Sequence, residues 1–120
     1  MAIKGESYNI LNKNGVSLQH QGKYLEAIEC YNKAILKYPK YVRAIVNRGL
    51  AKMSLKNYFD AIKDFDLSLK LNSEALHIKK YVERCKFEIK ISDYLKDSKI
   101  NNKGDEKLPN IEIQNDKKWF

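Results

Sequence analysis

The sequence predicts an all-α fold in which antiparallel helix pairs stack side by side, about five helices in all. Three observations carry this. The chain repeats itself with a period of 34 residues, apolar residues recur at helical spacing inside each repeat, and turn-forming residues break the pattern at matching places.

Residues 8–41 written over 42–75 align Leu11 with Ile45, Gly15 with Gly49, Ser17 with Ala51, and Tyr24 with Tyr58. The alignment continues with Ala27 and Ala61, Ile28 and Ile62, Tyr31 and Phe65, Ala34 and Ser68, and Ile35 and Leu69. In the first unit, Leu11, Gly15 and Leu18 mark a helix that ends at Gln21-Gly22-Lys23. A second helix opens near Tyr24, with Glu26 at the positive end of its dipole. It carries Ala27, Ile28, Tyr31, Ala34 and Ile35 on one face and stops at Tyr38-Pro39-Lys40, because proline cannot continue a helix interior. The second unit predicts helices over 42–54 and 58–71, broken at Lys56-Asn57. Its stop is Asn72-Ser73, with Ser73 available to cap the helix that follows.

Small residues at fixed places have a steric meaning. Gly15 with Ala27, and Gly49 with Ala61, let paired backbones approach closely while Tyr31 or Phe65 fills the space beside them. A third segment keeps the register but loses the pattern, since Glu83 stands where Gly15 and Gly49 stood. Its stripe of Ile78, Val82, Cys85 and Ile89 is placed to cover the second unit, as an atypical terminal cap would. Phe87, Ile91 and Tyr94 form a second stripe on its back. The expected layout is a lead-in at 1–7, repeats at 8–41 and 42–75, a capping helix at 76–96, and an extended or disordered tail at 97–120. That tail carries apolar points at Leu108, Ile111, Ile113, Trp119 and Phe120.

Leu11-x-x-Asn14-Gly15-x-x-Leu18, Ala27-x-x-x-Tyr31 and Pro39, followed by Ile45-x-x-Arg48-Gly49-x-x-Lys52 and Ala61-x-x-x-Phe65, resemble tetratricopeptide repeats. The bulky aromatic that opens the family pattern is absent, and Ser73 replaces the second proline. The resemblance implies a right-handed superhelix, a tetratricopeptide-like α-solenoid, whose first helices line a concave groove. Carried onto this chain, the groove residues are Asn12, Val16, Gln19, Arg43, Val46, Asn47, Leu50, Met53, Lys80, Arg84 and Phe87. Asn9, His20, Ser54, His77 and Tyr81 lie beside them. Val16, Val46, Leu50, Met53 and Phe87 would make an apolar floor, and Arg43, Lys80 and Arg84 a basic rim. Such a groove suits a protein or peptide segment with aliphatic anchors and nearby acidic residues.

One subclass of the family grips the acidic C-terminal tails of heat-shock chaperones through a carboxylate clamp. That clamp uses Lys and Asn on the first helix, Asn on the next first helix, and Lys or Arg on the third. The matching places here hold Asn12, Val16, Asn47, His77 and Tyr81. Only Asn47 agrees, so a co-chaperone role is disfavoured.

Other classes are weighed by composition. The net charge is +8, from 23 Lys and Arg against 15 Asp and Glu, but acids such as Glu26, Glu29, Asp60, Asp64 and Asp66 are interleaved. With Arg only at 43, 48 and 84 and no aromatic–basic strip, the charge reads as solvated faces, and nucleic acid is disfavoured as a partner. Cys30 and Cys85 read as small buried hydrophobes in a reducing compartment. His20 and His77 show no zinc-ligand spacing, no serine sits in a nucleophile motif, and no phosphate loop occurs. The expectation is therefore no enzyme, no cofactor and no metal. No stretch approaches the roughly 20 apolar residues of a membrane span. The first residues lack a secretory core, so the expected address is cytoplasmic.

Two roles follow from these features. One is an adaptor or assembly subunit that docks a partner segment in the groove. The other is a structural subunit held in a large complex through its outer helix faces and tail. Two repeats and a cap fall short of the usual stack, which predicts help from a partner, from self-association or from the chain's own tail.

Overall fold

The computed structural model describes residues 7–101, with side chains through Lys96. Five helices occur among them: α1 (Tyr8–His20), α2 (Tyr24–Lys37), α3 (Val42–Ser54), α4 (Tyr58–Leu71) and α5 (Leu76–Asn101). Each packs on the next in chain order, and α1 also touches α3, so the stack is an all-α array of helix pairs. None of these helices is long and apolar enough to cross a membrane.

The helix ends follow from local chemistry. Ser7 begins α1, its hydroxyl accepting the Ile10 N–H at 3.4 Å. After α1, Lys23 N–H donates to the Leu18 carbonyl at 2.9 Å and Gly22 N–H to Gln19 at 3.0 Å, with Gly22 at φ 80. This left-handed cap closes the last carbonyls. The turn after α3 uses the same pair, Asn57 to Lys52 and Lys56 to Met53, both at 2.8 Å. There Lys56 takes the left-handed position at φ 65 without being a glycine.

Tyr38, before Pro39, leaves α2 in an extended conformation, and Asn72 leaves α4 in nearly the same one with no proline after it. Ser73 does not cap α5. It stands outside the helix, which begins at Leu76, and the Asn72 side chain closes the turn by accepting the Glu74 N–H at 3.2 Å. Helix α5 continues to Asn101, past the expected boundary at 96. Residues 1–6 and 102–120, with the apolar points of the tail, lie outside the described residues.

The core forms two linked clusters. Leu11, Ala27, Tyr31, Ala34, Ala44 and Ala51 make the first, and Ala61, Phe65, Ile78, Val82 and Cys85 the second. The glycines act through the aromatic rings. A Cβ on Gly15 would lie 2.5 Å from Tyr31 Cε1, and one on Gly49 would lie 2.7 Å from Phe65 Cε1. Ile78, Val82 and Cys85 of α5 are buried as the stripe predicts, whereas Ile89 is only half-buried. Cys30 is also only half-buried.

One acid differs from the expectation of solvated charge. Asp64 is buried, receiving Arg48 Nε at 3.0 Å and Nη2 at 2.7 Å, with Lys52 Nζ at 3.1 Å. Arg48 Nη1 also donates to Asn32 Oδ1 at 2.7 Å, tying α3 to both α2 and α4.

Candidate functional site

Helices α1, α3 and α5 are the first helices of successive units, and the expected groove residues all lie on them. The structure distributes those residues over two ends of one face. Toward the C-terminal ends of α1 and α3, Gln19, Leu50, Met53 and Arg84 line a recess of about 400 Å³ with Ser54, Tyr58, Tyr81 and Glu88. Toward the N-terminal ends, Asn12, Arg43, Val46 and Asn47 line a broader recess of about 940 Å³ that also reaches Asn9 and His77. Val16 joins Asn12, Arg43 and Asn47 in a third recess that runs along α1 to His20. Lys80 and Phe87 line none of the three.

At the C-terminal end the floor is apolar. Leu50, Met53 and Tyr81 are partly buried against the second core cluster, so each has one side fixed by packing and one side open. Gln19 is held by the Tyr31 hydroxyl, which donates to its Oε1 at 2.6 Å. Burial, with a smaller contribution from Cys30, pushes the Tyr31 pKa up to about 12, so the hydroxyl keeps this proton further into the alkaline range than an exposed tyrosine does. This leaves the Gln19 amide nitrogen as its donor toward the recess. Tyr58 is also raised, by burial first and then by Glu88 and Cys85, with Arg84 opposing. The expected basic rim is weaker here than the sequence suggests. Arg84 Nη2 lies 3.1 Å from Glu88 Oε2, and its guanidinium carbon lies 6.0 Å from the Phe87 ring centroid. Phe87 thus supports Arg84 instead of joining the floor.

At the N-terminal end the groups are polar and aromatic. Asn47 Nδ2 donates to Asn12 Oδ1 at 3.0 Å, so two expected groove residues bond to each other across α1 and α3. Beside them, Tyr8 packs on Tyr38 and Tyr41 with centroid distances of 4.9 and 4.7 Å, and Tyr38 stacks on Tyr41 at 6.0 Å. Neither this ring cluster nor Tyr58 was among the expected site residues. The signal was present, since a period of 34 sets residue 8 beside residue 42 and so brings Tyr8 toward Tyr41. Among the described residues, no group of three His, Cys, Asp or Glu side chains could hold a metal ion.

The sequence profile of the tetratricopeptide repeat matches residues 8–41. The peptidyl-prolyl cis-trans isomerase PASTICCINO1 of Arabidopsis thaliana is 30% identical over 74 residues, which are 61% of this chain and 12% of that protein. The chain therefore spans only a small part of that relative's length. Among solved structures, the first TPR of Spaghetti (RPAP3) bound to the HSP90 peptide SRMEEVD superposes with a TM-score of 0.67 at 28% identity, covering 81% of this chain and 80% of that one. The TPR2B domain of yeast Sti1 in its pHsp70 complex gives a TM-score of 0.65 at 23% identity, covering 68% and 70%.

Proposed function

This chain carries a tetratricopeptide repeat and folds as tetratricopeptide-repeat domains do, and from that premise we infer that it is an adaptor or assembly subunit that docks a partner segment on its concave face. The single observation that supports this most is the recess between α1, α3 and α5. Leu50, Met53 and Tyr81 offer half-open apolar surface there, beside the amide of Gln19 and the hydroxyls of Ser54 and Tyr58. A short aliphatic side chain fits such a floor, the methionine adapts to its shape, and the polar groups bond the ligand backbone. The similarity to a domain that holds a peptide supports the same reading.

The clamp positions argue against a terminal carboxylate as the main anchor. Asn12 and Asn47 bond each other, while Val16, His77 and Tyr81 replace the remaining clamp groups. Co-chaperone activity on chaperone tails is therefore not the role inferred here. A second role, as a structural subunit held by its outer faces, is supported by the exposure of Leu25 (71%), Leu36 (82%) and Phe59 (67%) on α2 and α4.

Affinity capture from the protein's own cell extract tests the inference by comparing wild type with Leu50→Glu plus Met53→Glu. Loss of a specific partner in the double variant, with the fold intact by circular dichroism, is the expected result. An unchanged set of captured proteins would assign binding to the outer faces.

A further inference from the structure

We propose that the edge formed by Tyr8, Tyr38 and Tyr41, with Lys13, Lys40 and Arg43, is a second subsite that takes an internal acidic stretch of peptide carrying an aromatic side chain. The proposal rests on the reading of this chain as a peptide-binding module and adds the chemistry of the ligand's other half.

Three observations meet at this edge. The rings make a continuous cluster that is not sealed from solvent: Tyr8 is 36% and Tyr38 42% exposed. Holding the α2–α3 turn against the start of α1 explains why the rings touch each other. It does not explain their surroundings. Lys13, Lys40 and Arg43 line the same recess, and among the described residues no Asp or Glu lines it. Elsewhere on the described surface, cations such as Arg48, Lys52, Lys63 and Arg84 do lie against carboxylates. The recess also sits at the N-terminal ends of α1, α3 and α5, whose partial positive charge has the same sign, and beside the C-terminal ends of α2 and α4, whose partial negative charge offsets part of it.

This cationic surface with an aromatic platform is complementary to carboxylates flanking a ring. Aromatic pairs favour the tilted and edge-on contacts that the tyrosines already make with one another. The recess is open and wide, about 940 Å³, so a chain can run through it instead of ending in it. A peptide is favoured over a nucleic acid strand because this recess lies on the same helix faces as the Leu50–Met53 floor.

The test uses the full chain and a fluorescent, C-terminally amidated peptide of about twelve residues, rich in Glu and Asp with one central Phe, read by anisotropy. Saturable binding that weakens with added salt is expected. Lys40→Glu plus Arg43→Glu, which changes only exposed charges, should weaken it about tenfold or more, and Tyr38→Ala about fivefold. Replacing the peptide's Phe by Ser should weaken it to a similar degree as Tyr38→Ala, and a Lys-for-acid peptide should not bind. Circular dichroism of each variant separates lost binding from lost fold. Absence of binding to folded wild type, or equal binding by wild type and the charge variant, would overturn the proposal. Tighter binding of an oligouridine of matching length would overturn it in favour of a nucleic acid surface.

The two readings fail separately. Lost partner capture in Leu50→Glu plus Met53→Glu, with no acidic-peptide binding, removes the subsite alone. Acidic-peptide binding with unchanged capture removes the Leu50–Met53 site alone.

Discussion

Arg48 grips Asp64 with two nitrogens, at 3.0 and 2.7 Å, and so joins the two helices of the second repeat through a buried carboxylate. In the first repeat the residues 34 positions earlier are Asn14 and Cys30, with Leu18 in the place of Lys52. The ionic cluster of the second repeat thus has no counterpart at the matching places of the first, where Asn14 is exposed and Leu18 and Cys30 are half-buried. Asp64→Ala leaves two cations without their shared partner and should cost about 2–3 kcal/mol. Carrying the first repeat's residues across, as Arg48→Asn, Lys52→Leu and Asp64→Cys together, should cost less than Asp64→Ala alone. Urea denaturation of the three proteins checks this order.

Gly15 and Gly49 should tolerate no side chain. Ala at either place pushes a methyl into the ring of Tyr31 or Phe65, and a loss of about 1–3 kcal/mol is expected. Tyr31→Leu should recover part of the loss in Gly15→Ala, because it withdraws the ring that clashes. Thermal melts of the single and double variants measure the coupling.

Lys56 and Gly22 hold equivalent left-handed turn positions, at φ 65 and φ 80. A side chain is disfavoured there for backbone reasons alone. Lys56→Gly should therefore stabilise the protein by about 0.5–1 kcal/mol, and Gly22→Ala should destabilise it by a similar amount, although nothing lies within 4 Å of a Cβ built on Gly22. Chemical denaturation midpoints decide both.

Cys85 gives the fold an alkaline limit. Burial, aided by Glu88, raises its thiol from 9.0 to about 11. The folded chain then keeps a proton that the unfolded chain loses, so this contribution is whole below pH 9.0 and disappears as pH rises through about 11. Tyr31 acts in the same direction between 10.0 and about 12. Denaturation midpoints should fall over this range and fall less steeply in Cys85→Ala. At neutral pH, a thiol reagent should modify half-buried Cys30 well before Cys85.

The repeat was legible because its steric rules depend on residue size at fixed spacing. Gly15 against Tyr31 and Gly49 against Phe65 need the same pair of residues wherever the crossing recurs, so the helices over 42–54 and 58–71 follow from the alignment alone. The Arg48–Asp64 cluster was not legible, since it has no counterpart in the first repeat and leaves no similarity to align. Ser73 misled for a related reason: Asn72, one residue earlier, offers a carboxamide oxygen in better position to close the turn. At the groove, the residues on α1 and α3 were assigned through the resemblance to tetratricopeptide repeats, not through periodicity. The Asn12–Asn47 bond and the support of Arg84 by Phe87 depend on distances between side chains that no spacing rule supplies.

Site-specific photocrosslinking asks whether the concave face carries the partner. A photoreactive phenylalanine analogue placed at Met53, and separately at the exposed outer residue Phe59, would be activated in the protein's own extract. A discrete crosslinked partner from position 53 and none from position 59 is the expected result. A partner crosslinked from position 59 and not from position 53 would assign binding to the outer helix faces instead.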